Sequence, residues 1–203
     1  MSAAVMTGTG VPGWFGKLPS LGDFASRRLP DVFVGGWDRW LQAGLARARE
    51  EDGDWLSGYL VAPIRRFWLA PGVLGPAGWA GLVMPSVDRV GRHFPLTVAR
   101  PLQPLAAALA ARHWYDALDG AARQVLDLDY TVDDFEQALT ELAGLRVDPP
   151  DAAQHRLADE LAAGGDARTV WWCDDADTLS GFQAFGALPP PSALAAMLGS
   201  NHR

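Results

Sequence analysis

From Ile64 to Leu102 the chain reads IRRFWLAPGVLGPAGWAGLVMPSVDRVGRHFPLTVARPL, and this stretch decides the fold. Three apolar runs, RRFWLA (65–70), WAGLVM (79–84) and FPLTVAR (94–100), are separated by turns rich in Pro and Gly. Runs of this length, bounded by turn formers and rich in aromatic and β-branched residues, read as adjacent strands of one sheet. The prolines at 63, 71, 76, 85, 95 and 101 belong at strand ends, because a proline inside a central strand removes a ladder donor.

Upstream, Gly13 to Leu18 reads as a short strand running into a Pro-Ser-Leu-Gly turn. Trp37, Trp40, Leu41, Leu45 and Ala48 fall at helical spacing, which predicts an amphipathic helix over roughly residues 36–51, with a shorter one from Trp55 to Leu60. Downstream, PLAAALAAR is helix-forming. Trp114, Leu118, Ala121, Ala122 and Val125 share one helical face, and Phe135, Leu139 and Leu142 share the next, with Thr131 and Asp134 as its capping signal. Asp151 is placed to cap a third helix through Leu157 and Leu161, stopped by Gly164-Gly165. TVWWC (169–173) reads as one late, fully buried strand, and Pro189 to Leu198 as a last short helix. Strands and helices do not alternate as a doubly wound sheet requires. The expected class is therefore α+β: a mostly antiparallel sheet with helices packed on it, and a helical middle segment.

With 203 residues, 49% apolar and 20% charged, the chain has ordinary globular composition and the means to offset its conformational entropy by burial. The expected organisation is a flexible N-terminal tail over residues 1–12 and a single domain over 13–200. Trp14, Trp68 and Trp79, which lie near turns, are expected to be partly exposed, and Trp37, Trp171 and Trp172 to be core.

The formal charge is −7, from 24 acidic against 17 basic side chains, and no run of Lys or Arg lines up to neutralise phosphates, so nucleic acid is not an expected partner. Lys17 is the only lysine, so the positive charge is almost all guanidinium, which pairs with carboxylates in a planar, two-pronged way. A single cysteine, Cys173, excludes an internal disulfide and a cysteine-rich zinc site. The first ten residues lack the basic start and apolar run of a secretory signal, and no uncharged stretch approaches the ~20 residues that span a bilayer. A cytoplasmic protein without membrane insertion is expected.

Neither a Walker loop nor a dinucleotide-binding glycine fingerprint is present, and no two of the four histidines have the spacing of a zinc-binding helix. No cofactor or metal is expected. Neither Ser57 nor Ser86 lies in a nucleophile elbow, although Ser86, Asp88 and His93 lie close enough in the chain to be considered as a hydrolase constellation, since triads are defined in space. More conspicuous are charges embedded in apolar sequence: Asp23, Asp38, Arg65, Arg66, Asp88, Arg89 and Arg92. An arginine between buried strands needs a carboxylate, and the expected pairing is of Arg66 or Arg92 with Asp23 or Asp88. Two readings follow: an internal ion-pair network that fixes loop geometry, or a guanidinium-lined site for an acidic or phosphorylated partner or an anionic ligand.

The strings GWFGKLPSLGDF (13–24), WDRWL (37–41), RFWLAPG (66–72) and MPSVDRVGRHFPLT (84–97), in this order, resemble the signature of the TagF family of type VI secretion-associated proteins. TVWWCDD and FGALPPPSALAAML are similar to the family's C-terminal part. The resemblance implies a non-enzymatic, cytoplasmic post-translational repressor that binds a forkhead-associated scaffold protein. It supplies no catalytic residues. Asp23, Arg66, Ser86, Asp88, Arg89 and Arg92 are the binding-site candidates, chosen because burying charge in apolar surroundings demands partners.

Overall fold

A computed structural model describes residues 10–163, 167–174, 176 and 179–199. The run that opened the sequence reading forms β3 (Arg65–Leu69), β4 (Trp79–Met84) and β5 (Leu96–Pro101), an antiparallel meander. Earlier in the chain are β1 (Gly13–Gly16), β2 (Ala25–Arg27), α1 (Asp31–Glu51) and α2 (Trp55–Val61). After the meander come α3 (Leu105–Ala110), α4 (Arg112–Gln124), α5 (Val132–Ala143), α6 (Ala152–Ala163), β6 (Thr169–Trp172), β7 (Phe182–Phe185) and α7 (Pro191–Leu198). The strands make one sheet in the order β2-β1-β5-β4-β3-β6-β7, antiparallel at every pairing. The fold is α+β.

The continuous apolar character of β4 follows from its place in the middle of the sheet, where both faces are covered. Alternation splits its side chains: Leu82 and Met84 join Trp14, Trp68, Val98 and Val170 on one face, whereas Trp79 and Val83 join Phe67 and Trp171 on the other. The first face is covered by the helical middle, through Trp114, Leu118, Phe135, Leu139 and Leu161. The second is covered by α1, α2 and α7, through Phe33, Trp37, Leu41, Tyr59, Leu194 and Leu198. Helices on both faces give three layers and two cores.

Trp37 centres the second core. Its ring stacks on Trp171 with centroids 5.9 Å apart and lies 4.8 Å from Phe67, and its Nε1 donates to the buried Thr97 hydroxyl at 2.7 Å. The close seat of α7 on α1 depends on Gly44, where an added Cβ would lie 2.3 Å from Leu194.

Helix signals in the sequence hold with adjusted bounds. Thr131 and Asp134 form a reciprocal capping box on α5, and Asp151 Oδ1 accepts from the backbone N–H of Ala153 and Gln154 at the start of α6. Gly164-Gly165, the expected stop of α6, and residues 1–9 of the expected tail lie outside the described residues. Helix α1 starts at Asp31, five residues before the expected position, because Phe33 already packs into the core. Trp14, Trp68 and Trp79 are corrected from partly exposed to buried. Helices close over the strand ends: Phe135 lies 5.9 Å from Trp14, and Phe33 lies 4.8 Å from Trp79. The late strand is joined by a second, β7, at the sheet edge.

Candidate functional site

Two loops meet at the end of the sheet where β1 and β4 finish: residues 17–24, leading into β2, and residues 85–95, leading into β5. Gly16, between them, has φ +138°, and a Cβ there would sit 2.2 Å from the Pro95 carbonyl. Only glycine permits that conformation and that approach.

A charged clamp joins the loops. The Lys17 ammonium donates to Asp88 Oδ2 at 2.7 Å, and Arg92 Nε donates to the same oxygen at 2.6 Å. The other carboxylate oxygen accepts from the backbone N–H of Val90 and Arg92, which closes the tight turn between them. Arg92 reaches back through Nη2 to the Gly22 carbonyl, and the Arg89 N–H donates to the Leu21 carbonyl at 3.0 Å. Burial alone raises the Asp88 carboxyl, but the Lys17 ammonium, the Arg92 guanidinium and the two backbone donors outweigh it. The pKa is held far below the ordinary carboxylate range.

Beneath the clamp, Ser86 is fixed on three sides. Its hydroxyl donates to the Lys17 carbonyl at 2.7 Å, its carbonyl accepts from Tyr59 OH at 2.9 Å, and its N–H donates to the same phenol oxygen at 2.9 Å. Burial pushes the Tyr59 hydroxyl well above the ordinary phenol range. Above the clamp, Phe24 lies edge-on to Phe94 at 4.7 Å and under the Lys17 ammonium at 4.7 Å. Phe24 nevertheless remains 46% exposed, and Val90, at the tip of the second loop, is 69% exposed. Arg89, beside Val90, is exposed and has no side-chain partner among the described residues.

Of the six candidates from the sequence, Asp23, Ser86, Asp88, Arg89 and Arg92 all lie on these two loops. Asp23 is exposed and accepts from the Phe24 N–H. Arg92 meets Asp88, one of the expected pairings. Arg66 meets neither expected carboxylate: β3 turns it toward the helical middle, where Nη2 donates to Asp116 Oδ1 on α4 at 2.7 Å. Alternation along β3 sends Arg66 to the face shared with Trp68, away from the clamp. The hydrolase constellation is not assembled, since no hydrogen bond joins His93 to Ser86 or Asp88 among the described residues; His93 lies edge-on to Tyr59 at 5.9 Å. No group of three or more His, Cys, Asp or Glu among the described residues is arranged to hold a metal.

Lys17, Phe24 and Tyr59 belong to the site and were not singled out by sequence reasoning. A signal for Lys17 was present: the only lysine of an arginine-rich chain sits between Phe15 and Leu18, where its neighbours are core.

Residues 13–142 match the model of a family described as the TagF N-terminal domain, type VI secretion system-associated. Among solved structures, the chain is similar to PA0076 from Pseudomonas aeruginosa PAO1, with 35% identity over 93% of this chain and 94% of that one, and a TM-score of 0.77. No curated protein matches. No helix among the described residues is long and apolar enough to cross a membrane.

Proposed function

This chain belongs to the type VI secretion system-associated TagF N-terminal domain family, and from that premise we propose that it is a cytoplasmic post-translational repressor of such a system. It acts by binding the system's forkhead-associated scaffold protein, and it is not an enzyme. The observation that carries the reading is the clamp: two loops far apart in sequence are locked by Lys17, Asp88 and Arg92 so that Phe24, Val90 and Arg89 face outward. Exposed aromatic and aliphatic side chains beside an unpaired guanidinium, on a platform that does not have to order on binding, suit a protein interface. The Ser86 hydroxyl and the Asp88 carboxylate are occupied by structural bonds, which fits a scaffold for recognition better than a nucleophile and its base.

The reading is tested in a bacterium that carries this chain and an active system. Deletion should raise secretion, wild type should restore the low level, and an Arg89→Glu/Val90→Asp double variant should fail to restore it while accumulating normally. Secretion unchanged or lowered by the deletion would contradict a repressor.

A further inference from the structure

On the other face of the sheet, where α4, α6 and β6 converge, a cavity of about 400 Å³ is lined by Arg66, Arg112, Tyr115, Arg156, Leu157 and Trp172, among others. That size lies in the range of small-molecule sites, ~300–1,000 Å³. The floor is unusual. Arg66 is 4% exposed and lies 5.4 Å over the Tyr115 ring, yet its side chain makes one hydrogen bond among the described residues, to Asp116, whose side chain is 50% exposed. Nη2 takes that bond, Nε is buried without a partner, and Nη1 makes no hydrogen bond among the described residues. Guanidinium pairs best in a two-pronged fork, so this one is half used.

The surroundings add positive charge. Arg100, on β5, is 2% exposed, has no carboxylate partner among the described residues, and lies 4.1 Å over the Trp114 ring. Arg66 and Arg100 both act on the buried Tyr115 hydroxyl, opposing the upward push of burial on its pKa. At the rim, Arg112 and Arg156 are exposed and form no ion pair among the described residues. Glu160 and Asp174 also line the cavity without ion pairs among the described residues; counting Asp116, which pairs with Arg66, three carboxylates balance the three guanidinium groups of the lining, and the positive charge left over is that of the buried Arg100. Trp172 and Leu157 supply an apolar wall.

We propose that this cavity binds a small organic monoanion, with its negative group on the free Nη1 of Arg66 and the rim guanidinium groups, and its apolar body against Trp172 and Leu157. A single charge is matched by the unpaired charge of Arg100 beside Tyr115, whereas a dianion meets Glu160 and Asp174. The site is separate from the clamped loops and does not depend on their role in binding a partner.

The test is calorimetric titration of the whole chain with phenylacetate, indole-3-acetate, benzoate and hexanoate, against benzyl alcohol as a neutral body of similar shape and sulfate as a dianion without one. At least one carboxylate should bind saturably and about tenfold more tightly than benzyl alcohol, as the loss of a charge-assisted hydrogen bond implies. Arg66→Gln should abolish that binding. Arg112→Ala and Arg156→Ala, exposed changes that leave the floor intact, should each weaken it severalfold without lowering the unfolding temperature of the free protein. Equal affinity for the alcohol, unchanged affinity in both rim variants, or no saturable binding of any carboxylate would overturn the proposal.

Discussion

Lys17 and Asp88 stand 71 positions apart in the chain and 2.7 Å apart in the fold, with side chains 5% and 0% exposed. Losing either side is costly, because the buried Lys17 ammonium has no other carboxylate among the described residues, and Asp88 would keep only Arg92 and two backbone donors against its burial. Lys17→Met should therefore lower the urea midpoint far more than an exposed control such as Arg39→Met. Lys17→Met/Asp88→Leu should recover only part of the loss, since the N–H groups of Val90 and Arg92 lose their acceptor. Full recovery would show that the carboxylate serves Lys17 alone.

The lowered Asp88 pKa fixes the sign of a pH effect. A carboxyl whose native pKa lies below its unfolded value contributes fully above the unfolded range, near pH ~4, and that contribution is lost as pH falls toward the native value. Wild type should thus lose stability more steeply than Asp88→Asn between pH 5 and about 2.5. Urea titrations at several pH values read the difference directly, and parallel curves for the two proteins would refute the assignment.

In the second core, Thr97→Val leaves Trp37 Nε1 buried without its acceptor. An orphaned buried donor costs about 1–3 kcal/mol. Thr97→Ser keeps the hydroxyl and loses only a methyl, about 1 kcal/mol. Denaturant unfolding followed by tryptophan fluorescence should place the valine variant below the serine variant, and the reverse order would show that the hydrogen bond contributes little.

Two helix glycines should respond in opposite directions. Gly44→Val drives a side chain into Leu194 and should destabilise by about 2–3 kcal/mol through overpacking. Gly120 lies within α4 with open space where a Cβ would go, so Gly120→Ala should stabilise by about 0.5–1 kcal/mol through helix propensity. Thermal melts of the two variants check both signs.

The central strands were legible because their burial on two faces writes continuous apolar runs into the sequence, and α5 was legible because Thr131 and Asp134 announce its start. Edge strands leave weaker traces. Ala25–Arg27 is three residues long with two of them exposed, and Phe182–Phe185 has exposed residues at its centre, so neither has the pattern of a core element. Gly35-Gly36 hid the first turn of α1, although Gly36 is needed where Leu74 presses on the helix. At the candidate site, the charges in PSVDRVGRH were conspicuous because such groups need partners, and Arg92 with Asp88 was one of the four pairings that argument left open. Lys17 with Asp88 and Arg66 with Asp116 are set by which strand ends meet and which face a residue takes. Those relations are tertiary. The family match ends at residue 142, whereas β6, β7 and α7 complete the sheet and the second core, and the solved relative, matched over 93% of this chain, extends the likeness beyond it.

The central claim is that the clamped loops form a partner-binding surface, and it is tested most directly by calorimetric titration of the purified forkhead-associated scaffold from the same system with this chain and with its Arg89→Glu/Val90→Asp variant. Saturable binding by wild type, weakened at least about tenfold in a variant that unfolds at the same temperature, is the predicted result. Equal affinity in the two proteins, or no binding by wild type, would contradict the account.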